Sequence, residues 1–276
     1  MSINAEFGIV QGRLMQAPKG CLQWFPQEYW ESEFFLASVL GYKYIELIAE
    51  RQHNENNPIW IDEGIRRIKA LAETNKLWLH AICNDYIIDH ALTENKRVIE
   101  QTLKVISRAK LLGIQKLVLP LFEKSELTEG GFSENKSILK EIASAAQESN
   151  ILVCLETILN GKSLLDLLEF LDHPNIKCVF DTGNRIASGH DIYSDILLLG
   201  KQIHHVHIKD KNDSDENVLL GTGKVNFCKV FESLSHIGFS GPYTFETARG
   251  KDPVRTAQYN LQFANFFVEE VSENGS

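Results

Sequence analysis

The sequence predicts an α/β fold, namely a (β/α)8 TIM barrel with a single ring of parallel strands. Eight short runs rich in β-branched and aromatic residues alternate with eight segments in which apolar residues recur at helical spacing. The chain has 276 residues, and a barrel of about 250 residues would use nearly all of them. We therefore expect one domain that covers residues 1–276.

The predicted elements follow one another in a regular order. Strands are expected at FGIVQGRL, KYIELIA, LWLHAIC, KLVLPLF, ILVCLET, IKCVFDT, IHHVHIKD and YTFETA. Helices are expected over residues 27–40, 62–75, 94–112, 133–149, 163–171, 190–200, 226–236 and 253–270. Eight repeats of strand and helix with mostly short connections favour closure into a barrel over an open sheet.

Glycines mark the ends of four predicted helices. Gly41, Gly113, Gly200 and Gly238 each follow a helix and precede a strand, which is the position of a left-handed C-terminal cap. Two longer connections interrupt the repeat, one after the first strand and one after the seventh. Both follow the carboxyl end of a strand, so we expect both to lie over the mouth of the barrel.

Potential metal ligands end the last four predicted strands. Glu156, Asp181, His207 and Glu246 are separated by 25, 26 and 39 residues, which is about one strand and helix per step. Residues at the carboxyl ends of barrel strands point into one shared mouth, so these side chains should meet. Three carboxylates and one imidazole suit one divalent ion such as Mn²⁺, Zn²⁺, Mg²⁺ or Co²⁺. The pattern predicts a metal site and therefore an enzyme.

Charge and cysteine content limit the classes of partner. The formal charge of −9, without a dense Lys/Arg patch, disfavours nucleic acid and anionic membranes. The sequence shows neither a signal peptide nor 18 consecutive apolar residues, so we expect a soluble, cytoplasmic protein that acts on a small molecule. The five cysteines are odd in number and are expected to be free thiols. These features leave the assembly state open, with a homo-oligomer as one alternative.

The chain resembles a known superfamily, most strongly from residue 151 onward. The runs VHIKD, GTGKVNF and GFSGPYTFETARG, with LETILNG, FDTGNRIASG and the opening GIVQGRL, are similar to the sugar phosphate isomerase/epimerase superfamily with the xylose isomerase-like barrel. Within it, the resemblance points to L-ribulose-5-phosphate 3-epimerase and ketose 3-epimerases. It implies metal binding by Glu156, Asp181, His207 and Glu246, the residues chosen above from spacing.

Departures from the superfamily's patterns exclude one branch. Its zinc-dependent apurinic endonucleases use three zinc ions and extra histidines after strands four, six and seven. This chain has Pro120, Leu121 and Phe122 at the end of strand four, Asn184 at the strand-six position and no histidine in the loop after Asp210. A three-zinc site is therefore not expected. Asn184 also replaces a histidine that many epimerases of free ketoses use to contact substrate, which argues against free ketohexoses.

Polar residues on other strands and at the mouth are candidates for substrate contacts. Glu46 and His80 lie on the interior phase of strands two and three, where they either bind substrate or are internally satisfied polar groups. Positive side chains at the mouth either bind a phosphate or pair with neighbouring carboxylates. The turn Gly221–Gly223 either holds an anion or only precedes the next helix. The predicted substrate contacts are Arg13, Glu46, His80, Asn184, Lys209 and Arg249.

The predicted function is a metal-dependent isomerase or epimerase of a ketose or ketose phosphate. A proton next to a carbonyl is removed readily only if the enediolate is stabilised, and the metal would do this as a Lewis acid. The resemblance implies that Glu156 and Glu246 approach the carbon from opposite faces, so that one removes the proton and the other returns it. Two alternatives remain open: a lyase of the inosose dehydratase type, and a barrel that binds a metal or sugar without turnover.

Overall fold

Eight parallel strands form a closed barrel in the computed structural model, which describes residues 5–93 and 96–274. The strands pair in sequence order, and the eighth pairs with the first. They are β1 (Phe7–Val10), β2 (Tyr44–Ala49), β3 (Trp78–Asn84), β4 (Lys116–Pro120), β5 (Leu152–Glu156), β6 (Ile176–Asp181), β7 (Ile203–Ile208) and β8 (Tyr243–Phe245). This confirms the predicted TIM barrel.

Helices cover the outside of the barrel. They are α1 (Trp30–Leu40), α2 (Asp62–Thr74), α3 (Tyr86–Asp89), α4 (Lys96–Leu112), α5 (Phe132–Gln147), α6 (Gly161–Leu171), α7 (Thr182–Ala187), α8 (Ile192–Leu199), α9 (Phe227–His236) and α10 (Pro253–Asn274). The short helices α3 and α7 follow β3 and β6 and were not predicted. The others agree with the predicted helices to within four residues at each end, except that the predicted start at residues 94–95 lies outside the described residues. Across the described ranges, we find no helix with both the length and the apolar character that a membrane crossing needs.

The glycines predicted to end helices all have a positive φ, between 49° and 99°. This is the region that side chains with a Cβ rarely adopt, so the chain can leave the helix sharply at these points. At Gly41, for example, the backbone N–H donates to the carbonyl groups of Ala37 and Ser38. The strand that follows each helix can then begin within a few residues.

Apolar side chains fill two separate regions around the strands. The larger one lies between the strands and the surrounding helices and includes Ile9, Ile45 and Phe180, all nearly inaccessible to solvent. The smaller one lies inside the barrel and includes Val10, Cys154 and residues from four other strands. Burial of both regions stabilises the closed barrel and fixes which residues of each strand point inward.

The pairing of β2 with β3 shifts its register once. Ile45 pairs with Leu79, but Leu47 pairs with Ile82, so β3 contains one residue more than β2 in this interval. The extra residue changes the phase of alternation along the rest of β3. From Cys83 onward, the odd-numbered residues face the barrel interior, whereas His80 faces it before the shift.

Candidate metal centre and substrate cavity

Four side chains from the last four strands converge at the mouth of the barrel. Glu156 ends β5, Asp181 ends β6, His207 lies on β7 and Glu246 directly follows β8. One ligand atom from each lies within 4.8 Å of the others, and all four residues are buried. The arrangement follows from the fold, because parallel barrel strands all end at the same edge. We refer to these residues as the four-residue cluster.

The imidazole of His207 has one ring nitrogen without a hydrogen bond. This Nδ1 atom lies 3.6 Å from Glu156 Oε2, 3.9 Å from Asp181 Oδ2 and 3.5 Å from Glu246 Oε2. Ligand atoms that bind one ion at about 2.1 Å lie about 3 to 4.2 Å apart, and these separations fall in that range. Three carboxylates and one imidazole nitrogen are also a suitable donor set. The cluster therefore could hold one divalent ion.

A fully buried carboxylate holds the other nitrogen of the same ring. Glu46 Oε1 lies 3.1 Å from His207 Nε2, and Glu46 Oε2 lies 2.6 Å from His205 Nε2. Thr244 Oγ1 lies 3.1 Å from His205 Nε2 and 2.6 Å from the hydroxyl of Tyr44. This network below the cluster keeps Nε2 of His207 engaged, so Nδ1 is directed at the three carboxylates.

Charge in this part of the barrel favours a cation at the cluster. Burial lowers the pKa of His205 to about 4, so this ring is neutral at pH 7. Burial alone would also lower the pKa of His207, but the carboxylates of Glu46 and Glu156 raise it well above its ordinary value. In the absence of a metal, the excess negative charge around His207 is thus partly balanced by a proton.

Two buried cations hold Glu246 in place. Arg13 Nη2 lies 3.2 Å from Glu246 Oε1, and Lys209 Nζ lies 2.6 Å from Glu246 Oε2 and 3.1 Å from Asp181 Oδ2. Burial alone would raise the pKa of Glu246, but Lys209, His207 and Arg13 together hold it well below its ordinary value. Glu246 is therefore a carboxylate at neutral pH.

Glu156 has a weaker set of partners. The amide Nδ2 of Asn184 donates to Glu156 Oε1 over 3.2 Å, and the Oδ1 atom of Asn184 accepts from Lys209 Nζ over 3.3 Å. Burial raises the pKa of Glu156, and repulsion from Glu246 acts in the same direction. The two glutamates predicted to exchange a proton with substrate thus have different surroundings, with two cations at one and an amide at the other.

A cavity of about 670 Å³ opens above the cluster. Its volume lies in the range of sites for small molecules. The loop after β1 contributes Gly20–Gln23, and the loop after β7 contributes Lys211 and Asp215, as predicted from the two long connections. Its polar lining includes Asp85, Glu156, Asn184, His207, Lys209 and Glu246.

Two predicted substrate contacts lie below the cavity. Glu46 is fully buried under His207, and the ring of His80 lies 6.0 Å from that of His205 and 5.0 Å from that of Tyr44. Neither residue lines the cavity. Glu46 corresponds to the alternative of an internally satisfied group, because both of its oxygens have histidine partners, whereas the buried Nε2 of His80 has no hydrogen-bond partner among the described residues. Substrate binding by these two residues stays a prediction.

Two predicted cationic contacts are engaged by the protein itself. Arg13 donates to the carbonyl oxygen of Thr247 over 2.9 Å, and Arg249 donates to the carbonyl oxygens of Gly12 and Leu22 over 2.7 and 2.9 Å. Both side chains join the loop after β1 to the segment after β8. Neither is among the residues that line the cavity, so binding of a phosphate by either stays a prediction without a contact in its favour.

The turn Gly221–Gly223 already binds an anion from the same chain. Asp210 Oδ2 accepts hydrogen bonds from the backbone N–H groups of Gly221 and Gly223 over 3.0 and 2.8 Å, and its Oδ1 accepts from Val225 over 3.1 Å. Of the two predicted alternatives, the described structure shows the turn that precedes α9, with the Asp210 carboxylate in the position an external anion would need.

Asp85 is a residue of the cavity wall that sequence reasoning missed. It is 1% exposed, its Oδ1 accepts from the thiol of Cys83 over 3.2 Å, and its Oδ2 has no hydrogen-bond partner. Burial raises the pKa of Asp85 to about 7, and repulsion from Glu246 contributes. The signal available in the sequence was a polar pair, Asn84 and Asp85, directly after an apolar strand. Strict alternation from His80 selects Asn84 instead.

Comparison with curated proteins finds sugar epimerases. The ketose 3-epimerase of Arthrobacter globiformis is 32% identical over 128 residues, which are 44% of this chain and 43% of that protein. The L-ribulose-5-phosphate 3-epimerase UlaE of Escherichia coli is 26% identical over 234 residues, which are 79% of this chain and 82% of that protein. The aligned part thus spans less than half of the first relative and most of the second.

Solved structures and a family model both match the barrel fold of this chain. L-ribulose 3-epimerase superposes with a TM-score of 0.79 at 18% identity, over 98% of this chain and 97% of that chain. The IOLI protein with a binding zinc atom superposes with a TM-score of 0.73 at 18% identity, over 98% of both chains. At such identities the likeness shows the fold alone. The family described as Xylose isomerase-like TIM barrel matches residues 34–265, which is most of the sequence. This chain therefore belongs to the xylose isomerase-like TIM barrel family.

Proposed function

We propose that this protein is a divalent-metal-dependent epimerase or isomerase of a ketose or a ketose phosphate. The observation that carries the proposal is the convergence of Glu156, Asp181, His207 and Glu246 at the floor of the cavity. The epimerase relatives support the substrate class, because one is named for ketoses and the other for a ketose phosphate. Asp181 and His207 would hold the ion together with the two glutamates.

The chemistry requires a proton to leave one face of a carbon and another to arrive at the opposite face. Carboxylate oxygens of Glu156 and Glu246 lie 3.6 and 3.5 Å from His207 Nδ1 and come from β5 and the end of β8, well separated around the barrel. A sugar carbon bound above His207 would have one carboxyl group on each side. When bound, a divalent ion would supply Lewis-acid stabilisation of the negative charge that develops on the substrate oxygens.

The different surroundings of Glu156 and Glu246 give the two carboxyl groups different proton affinities. Arg13 and Lys209 keep Glu246 in its carboxylate form, which can accept a proton, whereas Glu156 is oriented by the amide of Asn184. Paired carboxyl groups with different environments are a common basis for acid and base roles. Lys209 also lines the cavity, and a substrate oxygen that contacts it would share its N–H donors with Glu246, Asp181 and Asn184.

The test combines metal analysis with product analysis. The purified protein is expected to bind about one divalent ion per chain, and a chelator should abolish activity while the barrel stays folded, because the apolar core does not depend on the ion. Turnover is assayed with ketopentoses, ketohexoses and their phosphates, by nuclear magnetic resonance and mass spectrometry. Epimerisation conserves mass, whereas loss of water would indicate the lyase.

A matched pair of histidine variants separates metal binding from folding. His207→Ala should lose the ion and the activity with little change in the circular dichroism spectrum. His204→Ala serves as the control, because His204 lies on the same strand but outside the four-residue cluster. Absence of a bound ion, together with no response to added Mn²⁺, Co²⁺, Mg²⁺ or Zn²⁺, would refute the proposal. Three zinc ions per chain would point to the endonuclease branch.

A further inference from the structure

The wall of the cavity contains a carboxyl group with an unsatisfied oxygen. Asp85 lines both the main cavity and a neighbouring one of about 380 Å³, and Gln23 and Arg51 also line both. Its Oδ1 is used by Cys83, but its Oδ2 is buried and has no partner within the described structure. A buried polar atom without a partner is costly, and at a cavity wall a ligand can supply the missing hydrogen bond.

The chemical character of that ligand follows from the two forms of the carboxyl group. An ionised Asp85 needs a donor, and a protonated Asp85 needs an acceptor. A sugar hydroxyl is both, so it satisfies Oδ2 in either form. A phosphate dianion carries no hydrogen and would be repelled by the ionised form.

The cations of the cavity lining are already paired. Among the described residues that line it there are three Lys or Arg residues and five Asp or Glu residues. Arg51 Nη2 lies 2.5 Å from Asp89 Oδ1 and 2.6 Å from Glu123 Oε2. The other two cations, Lys209 and Lys211, also have carboxylate partners. The carboxylate partners offset much of the positive charge, so a phosphate would gain less from these cations than from unpaired ones.

The Gly221–Gly223 turn, whose backbone N–H groups could bind an anion, is also filled. Asp210 takes the N–H groups of Gly221 and Gly223, which would otherwise be available to a phosphate. The pairing of the cations and the filling of this turn both disfavour a phosphate, and the unpartnered oxygen of Asp85 favours a hydroxyl.

We propose that Asp85 is a specificity-determining residue that holds a hydroxyl group of an unphosphorylated ketose, a hydroxyl that the four-residue cluster does not engage. This inference rests on the proposed function and narrows its substrate class. In the sequence, Asn184 in place of a histidine argues against free ketohexoses. Asn184 is held between Glu156 and Lys209, so we base the choice between a free and a phosphorylated ketose on the charges of the whole cavity instead.

The experiment is a cycle of enzyme variants and deoxy sugars with the metal-loaded protein. The kcat/KM values of the wild type, Asp85→Ala and Asp85→Asn are measured for a ketose, its monodeoxy analogues and its phosphate. Asp213→Asn is the control, because Asp213 is not among the residues that line the cavity and its carboxylate is 96% exposed. Melting temperature and metal content are recorded for every variant, so that loss of fold or of metal is seen directly.

The expected result is selective. Asp85→Ala should lower kcat/KM for the parent ketose by about 10- to 100-fold, mainly through KM, as expected for loss of a hydrogen bond to a carboxyl group. For the one deoxy analogue that lacks the contacted hydroxyl, Asp85→Ala and the wild type should have equal values. Asp85→Asn retains hydrogen-bonding capacity, so its kcat/KM for the parent ketose should lie between the values of the wild type and Asp85→Ala. Asp213→Asn should change kcat/KM by less than about threefold, and the wild type should prefer the free ketose to its phosphate.

Binding without turnover provides a second readout. The alditol derived from the ketose lacks the carbonyl and cannot react, so its affinity reports contacts alone. Asp85→Ala should weaken alditol binding, as measured by titration calorimetry, and Asp213→Asn should not.

Several results would overturn the role of Asp85 without touching the proposed function. These are an unchanged kcat/KM in Asp85→Ala, an equal loss for all deoxy analogues, or a preference of the wild type for the phosphate. By contrast, a metal-loaded wild type that converts neither ketoses nor ketose phosphates would refute the proposed function, and the role assigned to Asp85 would fall with it.

Discussion

Glu46 Oε1 lies 3.1 Å from Nε2 of His207, on the side of the ring that faces away from the three carboxylates. Neither residue is accessible to solvent, and the second oxygen of Glu46 is held by His205. A carboxylate behind a metal-binding imidazole fixes the orientation of the ring and increases its basicity. The contact therefore assigns Glu46 to positioning His207.

Replacement of Glu46 by glutamine should weaken metal binding. The amide keeps the size of the side chain but removes its charge, so we expect the affinity for Mn²⁺ or Zn²⁺ to fall by about 10- to 100-fold. Competition with a chromogenic chelator measures this. Glu50→Gln is the control, because Glu50 follows the same strand but bonds to Asn54 and Asn57 instead of the cluster. An affinity equal to that of the wild type would rule out the positioning role.

Replacement of either glutamate of the acid/base pair should stop inversion. We expect Glu156→Gln and Glu246→Gln to lower turnover by more than the roughly 10²–10⁴-fold typical of acid/base groups, because each residue would also hold the metal. In D₂O, the wild type should place deuterium at the inverted carbon. A product of the wild type without solvent deuterium would contradict the two-glutamate route.

Metal content separates the two roles of these glutamates. Asp181→Asn is the matched variant, since Asp181 belongs to the cluster but is not part of the proposed acid/base pair. It should lose activity mainly through loss of the ion. A glutamine variant that retains the ion is expected to exchange label into unreacted substrate from the opposite face, without inversion.

Lys209 should stabilise the metal-free protein more than the metal-loaded one. Its ammonium group lies 2.6 Å from Glu246 Oε2 and 3.1 Å from Asp181 Oδ2, so its removal leaves buried carboxylates without this cation. Breaking a buried ion pair costs about 3–5 kcal/mol. Lys209→Met should therefore lower the melting temperature strongly after chelation, and added metal should recover much of the loss.

The control for this variant is Lys211→Met. Lys211 pairs with Asp215, which is largely exposed, and such surface pairs contribute little to stability. Its melting temperature should be close to that of the wild type with and without metal. If Lys209→Met lost the same stability in both forms, the ammonium group would not be compensating for the absent ion.

Asp85 should make the stability of the metal-free protein depend on pH. Its pKa is about 7 in the folded protein, against an ordinary value of 3.8, so the folded state holds the proton more tightly. Stability from this group is fully present below about pH 3.8 and is lost as the pH rises through about 7. Asp85→Asn cannot lose a proton and should escape this loss.

The measurement is the difference in melting temperature between Asp85→Asn and the wild type. This difference should increase in favour of the variant between pH 4 and pH 8. Asp213→Asn is the control, because the carboxylate of Asp213 is 96% exposed in the folded protein, so folding does not bury it and the variant should show no such trend. A difference that stays constant with pH would show that the carboxyl of Asp85 does not gain proton affinity on folding.

The closed barrel and the four-residue cluster were predictable from the sequence because both depend on local patterns. Apolar runs alternate with helical spacing, and glycines end the helices, so the order of elements can be counted along the chain. Once eight parallel strands are assumed, residues at their carboxyl ends must share one mouth, whatever their separation in sequence. The positions of Glu156, Asp181, His207 and Glu246 follow from this rule.

Only the tertiary structure decided how the other polar side chains are used. The partners lie far apart in sequence, as with Arg13 and Thr247 or Glu46 and His207, so no local pattern indicates which acceptor a donor will meet. The extra residue in β3 likewise depends on pairing with β2, and it brings Asp85 to the cavity where alternation alone selects Asn84. The sequence thus determined which strands meet and which ligands end them, whereas three-dimensional packing determined which charges are already paired and which oxygen at the cavity wall lacks a partner among the described residues.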